Sequence, residues 1–542
     1  MKETIIVKIN DSSFEYDVRS LLRAFFPGAD VNFLGEDDGQ EEKNAAADLV
    51  IRLSDDSISQ IWRGSEEQTV SIAGLERAVV KNVLKCLIYD TLSADVGREL
   101  PWGTLTGIRP TKLVLKKVRE SASVAEIESF MWENYRTSRE KTKLAYRIAV
   151  REERIIRECA GGDSYSLYVG IPFCPSICLY CSFSSYPIGV YREKVDEYLE
   201  ALFREIDFVA EEFAGRSLST VYIGGGTPTS LSAGQLERLL KKIRDTLDLS
   251  DLREWTVEAG RPDSISVEKL EAIRQVGTEV REDAKNPLDN QCAGEFCGTA
   301  SKKFPGIRIS INPQTFRQAT LDRIGRLHSV EDVERAFAMA RKVGFDCINM
   351  DLIVGLPGEA ESDVADTLER VRALSPDNLT VHSLALKRAS RLREELERYA
   401  DESFRQSERI MELVHEAAAS MDMKPYYLYR QKDIAGNLEN VGFAPEGKEG
   451  LYNILIMEEV QDIVALGAGA ISKRIGWQDI GWMAEADGLD ERMERRASNR
   501  PQKTVRTANV KDVGQYIERV DEMIERKKRL FMDCDAEAME KS

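Results

Sequence analysis

Residues 168–183 read Y-V-G-I-P-F-C-P-S-I-C-L-Y-C-S-F, a short apolar run passing into a loop that carries Cys174, Cys178 and Cys181. Soft thiolates at Cys-x-x-x-Cys-x-x-Cys spacing can wrap one [4Fe-4S] cluster. Three ligands rather than four leave one iron open to chelate a further molecule, as open metal positions do in catalysis. The alternative is three buried or zinc-bound cysteines. Zinc wants a fourth ligand close by, which Ser182 and Phe183 do not convincingly supply, so the cluster is the preferred reading.

The strand that leads into this loop is the first of a series. Short β-rich runs at 166–170, 220–223, 254–258, 308–311, 346–353 and 378–384 are each followed by an amphipathic helical pattern. Six β-then-α units call for a parallel sheet. Right-handed crossovers curl such a sheet into a full or partial barrel, with the loops after the strands gathered on one rim. The expected fold class is therefore α/β, a partial (β/α)6 barrel over residues 163–395.

Upstream, alternation at 4–10 and 49–54 with helical spacing at 74–92 predicts a small α/β domain over 1–95, whose acidic stretch 35–47 reads as a loop. Ser123 and Glu126 form a capping-box pattern ahead of a long helical stretch reaching about Cys159, so 96–162 reads as a helical connector. Residues 396–542 read as a mixed C-terminal domain with a helical tail. Two stretches break the pattern. Roughly thirty polar residues at 278–306 stand where such links take about 2 to 6, which marks an insertion. It holds Cys292 and Cys297, a weak pointer to a second metal site, since no further ligand pair lies nearby. Residues 476–503, rich in Arg and Glu, read as a loop.

A chain of 542 residues exceeds one compact core, and about two to four domains are expected. The net charge of −18 opposes loose attraction to phosphate backbones or anionic lipid, so nucleic acid is an unfavoured partner. Three histidines argue against a multi-histidine metal site, and nine cysteines without an export signal are not a disulfide framework. No window is long and apolar enough for a membrane span, so the expected location is the cytoplasm.

A second motif, V-Y-I-G-G-G-T-P-T at 221–229, places three glycines directly after a strand, where the backbone can approach a ligand closely. Alone it reads as a tight turn. One βα unit after the cysteine loop, it reads as ligand-binding. Four polar groups fall where the rim is expected: Glu258, Gln314, Arg326 and Asp351, within E-A-G-R-P-D, I-N-P-Q-T-F, R-I-G-R and D-L-I-V-G-L-P-G. Each alone is more often a cap or a surface charge.

The triple-cysteine loop, with aromatic Tyr180 before its last cysteine, resembles the radical S-adenosylmethionine (SAM) superfamily. That resemblance implies SAM bound at the open iron and cleaved by one electron to a 5′-deoxyadenosyl radical, which makes Cys174, Cys178, Cys181 and Tyr180 the candidate catalytic set. The rim residues are similar to the cofactor-binding set of oxygen-independent coproporphyrinogen III oxidases. By that likeness Tyr168, Tyr180, Gly225, Gly226, Thr227, Glu258, Gln314, Arg326 and Asp351 contact one or two SAM molecules. A carboxylate such as Asp351 suits a ribose hydroxyl, and Arg326 suits a carboxylate.

The HemZ branch of that family is resembled over nearly the whole chain, through L-P-W-G-T-L-T-G-I-R-P-T-K at 100–112, Y-Y-L-Y-R-Q-K-D-I-A-G-N-L-E-N-V-G at 426–442 and A-L-G-A-G-A at 465–470. It implies anaerobic oxidative decarboxylation of coproporphyrinogen III to protoporphyrinogen IX in heme biosynthesis. The implied partners are a tetrapyrrole substrate and an electron donor such as flavodoxin or ferredoxin. Arg326, Lys387, Arg388, Arg430, Lys432, Lys473 and Arg474 are candidates for the substrate carboxylates, about half of them expected to be plain surface charge. Phe183 stands where the best-studied branch has a fourth cysteine, and Gly170 where it has a histidine. Heme chaperones of the same superfamily also lack that cysteine, so heme transfer, with His382 as a rim histidine, stays open. Radical modification of transfer RNA is opposed by the acidity.

Overall fold

The computed structural model describes residues 3–34, 47–107, 109–159, 163–283, 304–385, 392, 408–430, 438–479 and 499–532. The alternating apolar residues near the N-terminus form β1 (Thr4–Ile9), followed by α1 (Glu15–Phe25), β2 (Asp30–Phe33), β3 (Leu49–Leu53), β4 (Ser57–Trp62), β5 (Gln68–Ser71) and α2 (Arg77–Val96). These strands make a five-stranded sheet in the order β2-β1-β3-β4-β5. Ile5, Val7, Leu49 and Ile51 of the sheet pack against Val18, Leu21, Leu84 and Ile88 of the two helices.

Three helices follow, α3 (Thr111–Arg119), α4 (Val124–Tyr135) and α5 (Arg139–Cys159). The capping box is present: Glu126 N donates to Ser123 Oγ at 3.3 Å, and Ser123 N donates to Glu126 Oε2 at 2.8 Å. Arg136, in the left-handed region at φ 56°, makes the break between α4 and α5.

The remainder builds one large sheet and a separate pair of short strands. Its elements are β6 (Ser164–Ile171), β7 (Phe173–Cys174), β8 (Tyr186–Pro187), α6 (Ile188–Tyr191), α7 (Val195–Glu212), β9 (Ser217–Gly225), α8 (Ala233–Thr246), β10 (Glu254–Gly260), α9 (Val267–Asp283), β11 (Ile307–Gln314), α10 (Gln318–Arg323), α11 (Val330–Val343), β12 (Ile348–Val354), α12 (Glu361–Leu374), β13 (Asn378–Ser383), α13 (Glu408–Ser420), β14 (Lys424–Tyr429), β15 (Asn440–Ala444), α14 (Leu451–Glu458), β16 (Asp462–Leu466), β17 (Ile471–Asp479), β18 (Asn499–Ala508), α15 (Val513–Glu518) and α16 (Val520–Met532). The short strands β7 and β8 pair only with each other. The six expected strands β6, β9, β10, β11, β12 and β13 lie side by side in chain order, all parallel. Beyond β6 the sheet continues through parallel β16 to antiparallel β17 and β18, and beyond β13 through antiparallel β15 and β14. As described, the sheet is open, with β14 and β18 at its edges.

Two expectations need correcting. Helix α9 runs on to Asp283, past position 278 where the insertion was expected to begin, while Cys292 and Cys297 lie outside the described residues. The ends of the expected loop 476–503 are strand, with Trp477 opposite Pro501 and Asp479 opposite Asn499. Backbone pairing at a sheet edge needs no apolar alternation, so the charged composition concealed it. Residues 480–498 are outside the described part.

The N-terminal ends of the strands are closed by α14. Glu254, the first residue of β10, accepts from Leu451 N at 2.7 Å and Tyr452 N at 3.2 Å, and Arg308 on β11 donates to it at 3.0 Å. The carboxylate thereby caps a helix N-terminus and neutralises a buried guanidinium. The opposite ends carry the rim. Among the described residues no helix is long and apolar enough to cross a membrane.

Candidate functional site on the barrel rim

The cysteine loop and the glycine loop are fastened edge to edge. Gly226 N donates to Ile171 O at 2.8 Å, Thr227 N donates to Phe173 O at 2.7 Å, and Thr227 Oγ1 lies 3.5 Å from Cys174 Sγ. Close approach explains the glycine. A Cβ at Gly226 would meet Phe173 O at 2.7 Å and Cys174 Sγ at 3.0 Å, nearer than side-chain carbons tolerate. Gly225 adopts φ 107°, open to glycine and rare for other residues. The far side of the cysteine loop is held by Leu179 N donating to Ile324 O at 2.9 Å.

Cys174 and Cys178 are buried and Cys181 is half-buried. Burial, opposed by the Thr227 hydroxyl, pushes the Cys174 thiol up to about 11, so a thiolate here needs a metal charge beside it. Among the described residues no group of three His, Cys, Asp or Glu is arranged to hold a metal ion. Convergence on one point is what a single ion needs, whereas a cube-shaped cluster takes each thiolate at a separate corner. The three soft thiols on one loop, two buried and one half-buried, fit the cluster.

The polar groups of the rim fall into two linked sets. In the first, Glu258 accepts from the Tyr222 hydroxyl at 2.5 Å, beside the glycine loop; a Cβ at Gly224 would lie 3.0 Å from its carboxyl carbon. Burial, opposed by that hydrogen bond and reinforced by Asp351, pushes Glu258 up to about 7. Tyr222 stacks on Tyr452 with centroids 4.6 Å apart, and Tyr168 lies parallel to both at 6.3 Å. In the second set, Arg326 donates to Asn312 O at 2.7 Å and to the Tyr180 hydroxyl at 2.8 Å. Its Nε and the Oε1 of Gln314 are buried without a hydrogen-bond partner among the described residues. Gln314 also sits at φ 70°, a strained position for a residue with a side chain. An unsatisfied acceptor at the end of β11 and an unsatisfied donor on the arginine that bonds Tyr180 are what a polar ligand would engage. Asn349 joins the sets, donating to Asp351 Oδ1 at 2.7 Å and Ser310 Oγ at 2.8 Å, while Ser310 donates to Asn312 Oδ1 at 2.5 Å.

Other candidates are engaged elsewhere. Arg430 is buried against the Trp102 ring and donates to Leu105 O and Leu438 O, Lys473 pairs with Glu459 at 3.8 Å, and Arg474 donates to Leu530 O at 2.9 Å. Lys387, Arg388 and Lys432 lie outside the described residues. His382 sits at the end of β13, Nδ1 3.1 Å from the Tyr429 hydroxyl. Sequence reasoning missed Tyr222, Asn349, Tyr452 and Arg261. Tyr222 and Arg261 stood inside quoted motifs, whereas Tyr452 carried no local signal.

Residues 300–371 match the family model described as the Radical SAM superfamily. The oxygen-independent coproporphyrinogen-III oxidase-like protein HemZ of Bacillus subtilis (strain 168) is 38% identical over 400 residues, which cover 73% of this chain and 74% of that protein. The chain belongs to the HemZ family of radical SAM proteins. The resemblance carried by the cysteine loop is thus borne out, and the family implies a [4Fe-4S] cluster and SAM. Similarity to other members is partial. The heme chaperone HemW of B. subtilis is 35% identical over 223 residues, 41% of this chain and 51% of that protein. The oxygen-independent coproporphyrinogen III oxidase of Escherichia coli (strain K12) is 32% identical over 220 residues, 41% of this chain and 42% of that protein. HemZ-family membership therefore comes with relatives of two different named activities.

Proposed function

We propose that this HemZ-family chain carries out the oxygen-independent oxidative decarboxylation of coproporphyrinogen III to protoporphyrinogen IX, in the cytoplasm, with an electron donor such as flavodoxin or ferredoxin. The observation that carries the reading is the fastening of the cysteine loop to the glycine loop, with Glu258 on one side and the unsatisfied Gln314 and Arg326 on the other.

Cys174, Cys178 and Cys181 would hold the cluster, and the same loop presents Tyr180 to Arg326. The glycine loop, Thr227 and Glu258 form an acceptor-rich cradle suited to an ammonium group. Arg326 offers, through its unpaired Nε–H, the donor that a carboxylate wants, Gln314 Oε1 accepts from a ligand N–H or O–H, and Asp351 suits ribose hydroxyls. When bound, the cluster and SAM supply hydrogen-atom abstraction from an unactivated carbon. Each converted propionate loses a hydrogen atom from its β-carbon, then carbon dioxide and one electron to an acceptor, leaving a vinyl group; two are converted. The chain's own part is positioning and water exclusion: the stacked tyrosines Tyr168 and Tyr222, half-buried, and Tyr452, buried, line the sheet beneath the site.

The test is an anaerobic assay of cluster-reconstituted, reduced protein with SAM, coproporphyrinogen III and cell extract as acceptor source, followed by mass spectrometry. Deoxyadenosine formed together with vinyl product, and lost in Cys178→Ala, is the expected result. Cleavage of SAM without decarboxylation would sink this substrate and favour a heme-chaperone role, the one printed in the name of the HemW relatives.

A further inference from the structure

Arg261 follows β10 directly and is 3% exposed. Its Nε and Nη2 donate to the two carboxylate oxygens of Asp263 at 3.0 and 2.9 Å. Its Nη1 donates to Ser176 O at 3.0 Å and Ser176 Oγ at 2.6 Å, and lies 3.9 Å from Cys178 Sγ. Ser176 Oγ in turn donates to Gly325 O at 3.1 Å. The guanidinium thus fills the space beneath the cysteine loop and touches both its backbone and one of its sulfurs. Behind Asp263, the fully buried His328 stands with Nδ1 3.9 Å from Asp263 Oδ1. Burial, with Arg326 adding to it, holds this imidazole down at about 4, so it is neutral at physiological pH and adds no charge of its own.

We propose that Arg261 is a positioning residue that sets the reduction potential of the cluster. It fixes the loop through Ser176 and places a permanent positive charge at Cys178, while Asp263 cancels part of that charge. The inference rests on the cluster reading above. Guanidinium does not lose its proton in proteins, and a charge in a water-poor site acts at far greater strength than on the surface. Net charge and hydrogen bonds to the sulfurs are what tune iron–sulfur potentials. A cation at Cys178 favours the added electron, and a carboxylate two bonds of hydrogen away opposes it. Removing either group therefore moves the potential in opposite directions, which a merely structural ion pair would not do.

The experiment is an EPR-monitored redox titration of the reconstituted full-length chain, with iron and sulfide counted per protein, for wild type, Arg261→Gln, Arg261→Lys and Asp263→Asn. Arg261→Gln is expected to make cluster reduction about tenfold less favourable, a fall of ~59 mV for one electron. Asp263→Asn is expected to shift the potential upward, and Arg261→Lys to fall between wild type and Arg261→Gln. Potentials that move the same way in Arg261→Gln and Asp263→Asn, or that do not move at full iron content, overturn the inference alone. A wild-type chain that takes up no cluster overturns the cluster reading and this inference together.

Discussion

Glu258 makes the site sensitive to pH, and the sign follows from its surroundings. Burial raises it from 4.5 to about 7, so between those values the folded chain holds a proton that the unfolded chain has released. Its contribution to stability is present below about 4.5 and is lost as pH rises toward 7, by at most ~3 kcal/mol. A cationic ligand against the carboxylate reverses the preference, because binding must expel that proton. Affinity for SAM should weaken, by up to about tenfold per pH unit, as pH falls below 7. Equilibrium dialysis of the cluster-loaded protein from pH 8 to 6 measures it, and Glu258→Gln should flatten the profile. Identical profiles in the two proteins would remove Glu258 from the ammonium cradle. Gly226 supplies a second expectation at this scale. Gly226→Ala puts a carbon against Phe173 O and Cys174 Sγ and should cut iron uptake sharply, at a stability cost of ~1–3 kcal/mol. Gly234→Ala on α8, where a Cβ meets nothing within 4 Å, is the matched control and should bind iron as wild type does.

Among the elements, α14 holds the base of the site, and its hold runs through one carboxylate. Glu254, itself buried, receives two backbone N–H groups from the start of that helix and the buried guanidinium of Arg308. Glu254→Ala leaves Arg308 without its counter-charge and the helix without its cap, which should cost ~3–5 kcal/mol. The midpoint of urea unfolding reports this; a change under about 1 kcal/mol would show that the backbone carbonyls of Lys448 and Glu449 satisfy Arg308 unaided. The same helix shows where sequence reading stops. The six parallel strands were legible because each is a short apolar run set between turn residues and an amphipathic helix. Leu451–Glu458 is mostly apolar, with only Asn453 and Glu458 polar, so no periodicity marks a buried face, and its role depends on Glu254, 197 residues earlier. The rim groups were legible by type and motif. Their union through Asn349 and Ser310 was not, because cross-strand neighbours appear only once the register is known.

On the scale of the whole molecule, the C-terminal segment is tied to the strand that presents the cysteines through a buried charge pair. Glu205 on α7 accepts from Lys527 Nζ at 2.5 Å, the Tyr516 hydroxyl at 2.5 Å, Asn509 Nδ2 at 3.0 Å and Gly467 N at 2.7 Å. Lys527 and Glu205 are both essentially inaccessible to water. Gly467 directly follows β16, which lies on β6, and Tyr198, beside it on α7, donates to Gly170 O at 2.7 Å, four residues before Cys174. One carboxylate therefore gathers α15, α16 and the end of β16 on α7, and Tyr198 of the same helix reaches β6, the strand that leads into the cysteine loop. Lys527→Ala leaves Glu205 charged, buried and short of its strongest donor, and should cost ~3–5 kcal/mol. Because the lost contacts lie beside β6, the variant should also release iron to a chelator faster than wild type, although residue 527 touches none of the three cysteines. Lys527→Ala with Glu205→Gln removes both charges together and should recover much of the stability. If the double substitution is no more stable than the single one, the tail is held by packing of Phe531, Leu530 and Met523 rather than by the charge pair, and the iron-release rate should follow truncation of α16 instead.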